Sequence, residues 1–397
     1  MAGISFLRGY ALCAKVDIRW AKLLAHRRRG EWLAVDLKKI PAVSPFLLLL
    51  LATCVSLRAQ TTQPAAAPPA VPPPTARWIN VTAGLGGDKW GFGGLTAMAV
   101  APGSDVIIAG VSETGLWASS DAGKTWNRLG AKDAAPISNH PYQIIFDPKN
   151  PRTFWETGNT GPGIFRTDDG GESFHRLGTI DNVDGIGIDF TDELRKTMVV
   201  GIHDQPRSIQ HSADGGQTWK LIGDKLPGNT NISNNVVVFD ANNYVVNAAG
   251  WKRDGTQVGA QLLAYGTFRT EDGGATFAKV SDAGPSGPAL VASDGAIYWQ
   301  TLWNNGLIKS TDQGKTWQQL PGAVKVNPIE LPGGKLVAAI DSQLYVSGDG
   351  GKTWDKFGEP VPFGPSGLTY CAKTRSLYAW RSTDGKEESV VARWDIP

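Results

Sequence analysis

Ser119-Ser120-Asp121-Ala122-Gly123-Lys124-Thr125-Trp126 decides the fold, because the pattern it carries recurs. Ser/Thr-x-Asp-x-Gly-x-Ser/Thr-Trp/Phe returns at 167–174 around Asp169, at 212–219 around Asp214 and at 270–277 around Asp272. It returns again at 310–317 around Asp312 and at 347–354 around Asp349. The residue types have a local reason. An aspartate carboxylate accepts backbone N–H bonds across a tight turn, and glycine supplies a backbone angle that other residues resist. The hydroxyls add further bonds, and the aromatic residue packs between neighbouring sheets. These six aspartates are therefore read as structural turns rather than acids or metal ligands. Gly-Lys-Thr at Gly123, Gly314 and Gly351 is no phosphate loop, since that loop needs a glycine five residues earlier. Ala118, Lys309 and Val346 stand there instead.

The aspartates are spaced by 48, 45, 58, 40 and 37 residues, the length of a four-stranded propeller blade. In the first unit the expected strands are 95–101, 106–110, 115–119 and 125–129. After the sixth turn, 367–372, 376–380 and 389–394 supply three strands without an aspartate turn. The missing fourth strand is available at 77–82, Arg77-Trp78-Ile79-Asn80-Val81-Thr82. The fold class is thus all-β, a seven-bladed propeller closed by the N-terminal strand, with closure expected to remove its sheet edges.

Composition agrees. There are 48 glycines in 397 residues, about 12% against a usual ~7%, as many tight turns require. The 39 Lys+Arg and 37 Asp+Glu give a net charge of +2, but the charge is uneven. Residues 1–59 hold 10 basic and 3 acidic side chains, leaving 29 basic and 34 acidic in the rest. A basic leader on a mildly acidic body excludes nucleic acid as a partner. Cys13, Cys54 and Cys371 are too few for a disulfide scaffold.

Three segments follow: a basic leader at 1–59, a Pro/Ala-rich linker at 60–76 and the propeller at 77–397. Residues 40–57 carry no charge and follow Lys38 and Lys39. They read as a secretory signal, with an uncleaved anchor or lipidation at Cys54 as alternatives. Each places the body outside the cytoplasm, periplasmic or extracellular, and confines membrane contact to the N-terminal segment. The linker is suited to an extended, solvated form.

The repeat resembles the Asp box of the bacterial-neuraminidase family over about 320 residues. Sialidases, though, have six blades and a Phe/Tyr-Arg-Ile-Pro motif that is absent here. Sortilin-type propellers share the repeat and add a cysteine-rich module. The opening Trp78-Ile79-Asn80-Val81, Gly91-Phe92-Gly93-Gly94 and Ser112-Glu113-Thr114-Gly115 resembles xyloglucanase-type glycosidases over about 40 residues. In that resemblance Glu113 stands where the family's catalytic Asp stands, and the family's second propeller is missing. The photosystem II assembly factors are similar in architecture, as single exported rings that act as non-catalytic platforms.

In such a ring the loops between second and third strands share a face with the blade-to-blade loops, opposite the aspartate turns. That face collects Asp88-Lys89-Trp90, Ser112-Glu113-Thr114, Asn139-His140-Pro141-Tyr142, Glu156-Thr157-Gly158-Asn159 and 203–207. The insertion at 250–254, Trp303-Asn304-Asn305, Asp341 and Arg381 complete the set. Aromatic faces suit sugar rings, charged groups suit hydroxyls, and two carboxylates can cleave a glycoside. Glu113 and Asp204 are the candidate catalytic pair. Trp90, His140, Tyr142, His203, Arg207, Trp251, Arg253, Asp254, Trp303 and Arg381 are the candidate substrate-binding residues. His175 and His211 are expected to be structural. The expected function is an exported propeller that binds, and can cleave, carbohydrate, like a glycoside hydrolase. A non-catalytic protein-binding scaffold is the alternative. A polysaccharide lyase is a third reading, with His140 or His203 as base and Arg207 or Arg253 on a uronate. A monomer without metal or cofactor is expected.

Overall fold

The structure, a computed structural model, describes residues 77–87, 89–133, 137–228, 230, 232–249, 265–301, 306–322, 324, 326–383 and 389–396. The expected leader and linker lie outside those residues. So do the candidate site residues Trp251, Arg253, Asp254 and Trp303.

Seven four-stranded antiparallel sheets follow one another along the chain. The first contains Leu95–Val100, Ile107–Val111, Gly115–Ser119 and Asn127–Arg128, paired in that order. Five more repeat this plan. The last is built from Gly367–Cys371, Ser376–Arg381, Val390–Asp395 and, from the other end of the chain, Ile79–Asn80. Ile79 pairs with Arg393 and Asn80 with Ala392. The Val81 N–H then donates to the Val391 carbonyl at 2.9 Å. The ring is a seven-bladed β-propeller.

The middle strands are buried on both faces. Ile107–Val111, Met198–Ile202 and Tyr244–Ala248 are buried throughout. They therefore read as continuous apolar runs instead of alternating ones. The outer strands are the opposite, two-residue pieces such as Asn127–Arg128, Gln318–Gln319 and Asp355–Lys356, exposed along their length. This corrects one expectation. Closing the ring leaves seven outer edges, and shortness and polarity protect them instead.

Each aspartate turn is held the same way. In the first, Ser119 Oγ donates to Asp121 Oδ1 at 2.8 Å and accepts from the Gly123 N–H at 2.8 Å. Asp121 Oδ1 accepts the Thr125 N–H at 2.9 Å and Oδ2 accepts the Thr125 hydroxyl at 2.7 Å. Gly123 has φ +85°, and a Cβ there would meet Val81 Cβ at 2.8 Å. Trp126 Nε1 donates to the Val81 carbonyl at 2.9 Å, so the first turn also clamps the segment that closes the ring. Trp219, Phe174, Phe277, Trp317 and Trp354 pack into separate apolar clusters. The turns thus join adjacent blades as well as adjacent strands.

Candidate functional site

Opposite those turns, the loop face of the first four blades carries a polar cluster on a rigid frame. Asp184 sits second in the innermost strand Val183–Ile188 and is only 1% exposed. Its carboxylate accepts from Asn159 Nδ2 at 2.9 Å and from Asn234 Nδ2 at 2.7 Å. His203 Nδ1 completes the set, 2.9 Å from Oδ2. The two asparagines come from the neighbouring blades on either side, so Asp184 ties three blades together. Two glycines permit the approach. A Cβ at Gly201 would meet Asn234 Cα at 2.3 Å, and one at Gly185 would meet the Asn234 carbonyl at 2.7 Å.

His203 follows the strand Met198–Ile202 and its side chain is 44% exposed. Its hydrogen bond to Asp184 raises its pKa above the ordinary 6.5, against an opposing effect of partial burial. Its other ring nitrogen lies 3.6 Å from Asp204, whose carboxylate is 79% exposed. The imidazole is thus fixed on one side by a buried acid and faces an open acid on the other. This arrangement can hold, accept or release a proton near neutral pH.

His140 opens the inner strand His140–Phe146 and is half-buried. Its Nδ1 lies 3.3 Å from Ser112 Oγ, and a hydrogen bond to the Phe92 backbone engages the ring again. Burial, reinforced by repulsion from His203, holds its pKa below the ordinary value despite that bond. Tyr142, two residues on, bonds Asn235 Oδ1 at 3.4 Å, and burial pushes its hydroxyl pKa well up. It lines a cavity of about 730 Å³ walled by innermost strands, with Ile144, Ile186 and Val237 among its apolar residues.

Glu156 lies beneath this layer in the strand Phe154–Asn159, with no exposed surface. Asn139 Nδ2 donates to its Oε2 at 3.3 Å, while Oε1 has no partner. Burial raises its pKa to about 8, so it is a neutral acid at pH 7. The Asn139 carbonyl also accepts the Glu113 N–H at 3.0 Å. Glu113 occupies a turn at φ +63° with its carboxylate exposed and packed on Gly91.

The remaining candidates fall elsewhere. Trp90 is 8% exposed inside the apolar cluster that seals the first blade to the last, so its indole is not presented to a sugar. Arg207 donates from Nη1 to the Asp224 carbonyl at 3.3 Å. Arg381 lies over the Phe363 ring at 5.7 Å, in a separate pocket beside Trp78 on the last blade. His140–Tyr142 and Glu156–Asn159 hold strand positions rather than the loops expected of them. His211 stacks on Tyr244 at 6.4 Å and His175 lies on an outer strand, both away from the cluster.

Asp184, Asn234 and Asn235 were missed by sequence reasoning. Their signal was present: Asp184 interrupts an apolar inner strand, and Asn234-Asn235 immediately precede the next one, Val236–Val238. A polar residue in a doubly buried strand has to be paired to be tolerated.

No protein-family model matches the chain. Among curated proteins, the chain is 23% identical to the xyloglucanase Xgh74A of Acetivibrio thermocellus over 302 residues, 62% of this chain and 35% of the relative. It thus spans about a third of that relative's length. A xyloglucanase from a Paenibacillus species is 24% identical over 188 residues, 38% of this chain and 18% of that protein. Among solved structures, YCF48 bound to a D1 peptide is similar at TM-score 0.50 and 14% identity, covering 78% of this chain and 97% of that one. Similarity at that identity speaks to the fold alone.

Proposed function

We propose that the loop face binds carbohydrate and cleaves a glycosidic bond there, with His203 managing the proton. The carrying observation is Asp184: a carboxylate 1% exposed, satisfied from two neighbouring blades, and spent on fixing an imidazole that faces solvent. Burying a carboxylate costs several kcal/mol, and a core needing only packing would use an apolar residue. The sequence similarity to xyloglucanases supports a glycan as the ligand. Asp204, beside His203, and Glu113, on the first blade, are the two carboxylates proposed for acid and base work on the leaving oxygen and the attacking water. The uncharged stretch at 40–57 supports action outside the cytoplasm.

The test is a panel of soluble polysaccharides, xyloglucan included, scored for new reducing ends. Turnover that falls at least about a hundredfold in Asp204→Asn and in Glu113→Gln is expected, the usual scale of general acid–base catalysis. Binding without turnover would leave a glycan-binding ring and remove the catalytic role. An unsaturated product would move the chemistry to elimination with His203 as base.

A further inference from the structure

We propose that Phe92 is a stacking platform for one pyranose unit, forming a subsite beside His140 and Glu113. The inference rests on the carbohydrate reading above and adds the place where a sugar ring lies. Among the described residues the exposed large hydrophobics are Ile79, Phe92, Leu194, Leu221 and Val291. Ile79 and Leu221 lie on outer strands. Leu194 lies between first and second strands and Val291 ends the first strand Leu290–Val291, both on the side of the aspartate turns. Phe92 alone stands on the loop face, and at 74% it is the most exposed of the five.

Its backbone is fixed although its ring is open. The Gly91 N–H donates to the Ser112 carbonyl at 3.0 Å, and the Ser112 N–H donates back to the Gly94 carbonyl at 2.9 Å. Ser382 Oγ donates to the Gly93 carbonyl at 2.6 Å, tying the loop to the last blade. From below, His140 braces the same loop: a Cβ at Gly93 would meet its Cε1 at 2.3 Å. The Phe92 and His140 ring centroids are 6.3 Å apart. A Cβ at Gly91 would meet Glu113 Cδ at 2.4 Å, which puts the carboxylate against the residue that precedes the platform.

An open aromatic face on a braced loop, flanked by a carboxylate, matches one pyranose. The sugar's C–H face meets the electron-rich ring and its hydroxyls meet the acid. A protein partner would need a contiguous apolar patch, and the loop face offers no second exposed large hydrophobic among the described residues. His140, held by Ser112 and packed under Gly93, is here a positioning residue for the platform.

Affinity electrophoresis through gels containing soluble xyloglucan tests this with Phe92→Ala, Phe92→Leu and Phe92→Trp. Covering a phenyl ring predicts that retention of the Ala variant weakens about tenfold or more, and the Leu variant nearly as much. Trp keeps the wild-type retention. Because the side chain is exposed, unchanged far-ultraviolet circular dichroism and melting temperature are expected in all three. Wild-type retention in Phe92→Ala overturns the subsite and leaves carbohydrate binding standing. Wild-type retention in Phe92→Leu overturns stacking in favour of simple apolar contact. A wild-type ring that no polysaccharide retards overturns both this inference and the function proposed above.

Discussion

Replacing Asp184 by Asn probes the one buried charge around which the loop face is organised. The native carboxylate accepts from Asn159, Asn234 and His203, at 2.9, 2.7 and 2.9 Å. An amide keeps one acceptor oxygen and turns the other position into a donor aimed at donors. A charge-assisted bond is worth about 1.5–3 kcal/mol and an orphaned buried donor costs about 1–3 kcal/mol. The bond to His203 is discounted because that ring is 44% exposed. The variant should therefore lose about 2–4 kcal/mol. Unfolding entropy of ~2.1 cal/mol/K per residue over roughly 320 ring residues converts this to about 3–6 °C in Tm. The pH dependence has a definite sign. His203 has a raised folded pKa, so its contribution is fully present below the ordinary value of 6.5 and is lost as pH rises through the folded value. The gap between wild type and Asp184→Asn should consequently be wider in mild acid than in mild alkali. Thermal melts on either side of that window, with NMR titration of His203, are the assay. A variant that melts with wild type at both pH values, or a wild-type His203 that titrates at its ordinary value, refutes the reasoning.

Three further outcomes are expected. Glu156→Gln should stabilise the ring: the folded acid stays neutral while the unfolded one ionises, so wild type loses stability between pH 4.5 and about 8. The gain should reach on the order of 2–4 kcal/mol above that window and vanish below it, read by urea unfolding. Arg195→Met should cost about 3–5 kcal/mol in the same assay, because it strands the buried Asp147 carboxylate that Arg195 holds at 2.8 and 3.1 Å. The ring should unfold steeply in acid. The hydrogen bonds from their turn residues lower Asp121, Asp214, Asp272 and Asp312 from 3.8 to about 2, so the stability they give persists above 3.8 and is lost as pH falls through about 2. Circular dichroism across that range checks it, and a flat profile would contradict the role given to the turns.

The repeat made the architecture legible because each aspartate turn is a local structure. Ser119, Asp121, Gly123 and Thr125 satisfy one another within seven residues, so neighbouring sequence carries the whole instruction. Ring closure was legible too, since the chain's two ends supplied complementary parts of one blade. The site was only half legible. His203 and His140 could be placed on the correct face by their position after the second strand and before the first. Their roles could not, because Asp184 reaches His203 from a strand 19 residues earlier, and Asn234, which holds Asp184, lies 50 residues beyond that acid. Trp90 misled for a related reason. An indole in a loop looks available for a sugar, but here the loop folds back and Trp90 seals the joint between the first and last blades.

Histidine NMR tests the central claim most directly, because the four histidines among the described residues sample different surfaces. His140 and His203 stand on the loop face, whereas His175 lies on an outer strand and His211 stacks on Tyr244 between two neighbouring blades. Titrating the ring with xyloglucan oligosaccharides should shift the His140 and His203 ring signals to saturation and leave those of His175 and His211 in place. Signals that never move with saccharide, or movement confined to His175 and His211, would contradict a carbohydrate site on this face.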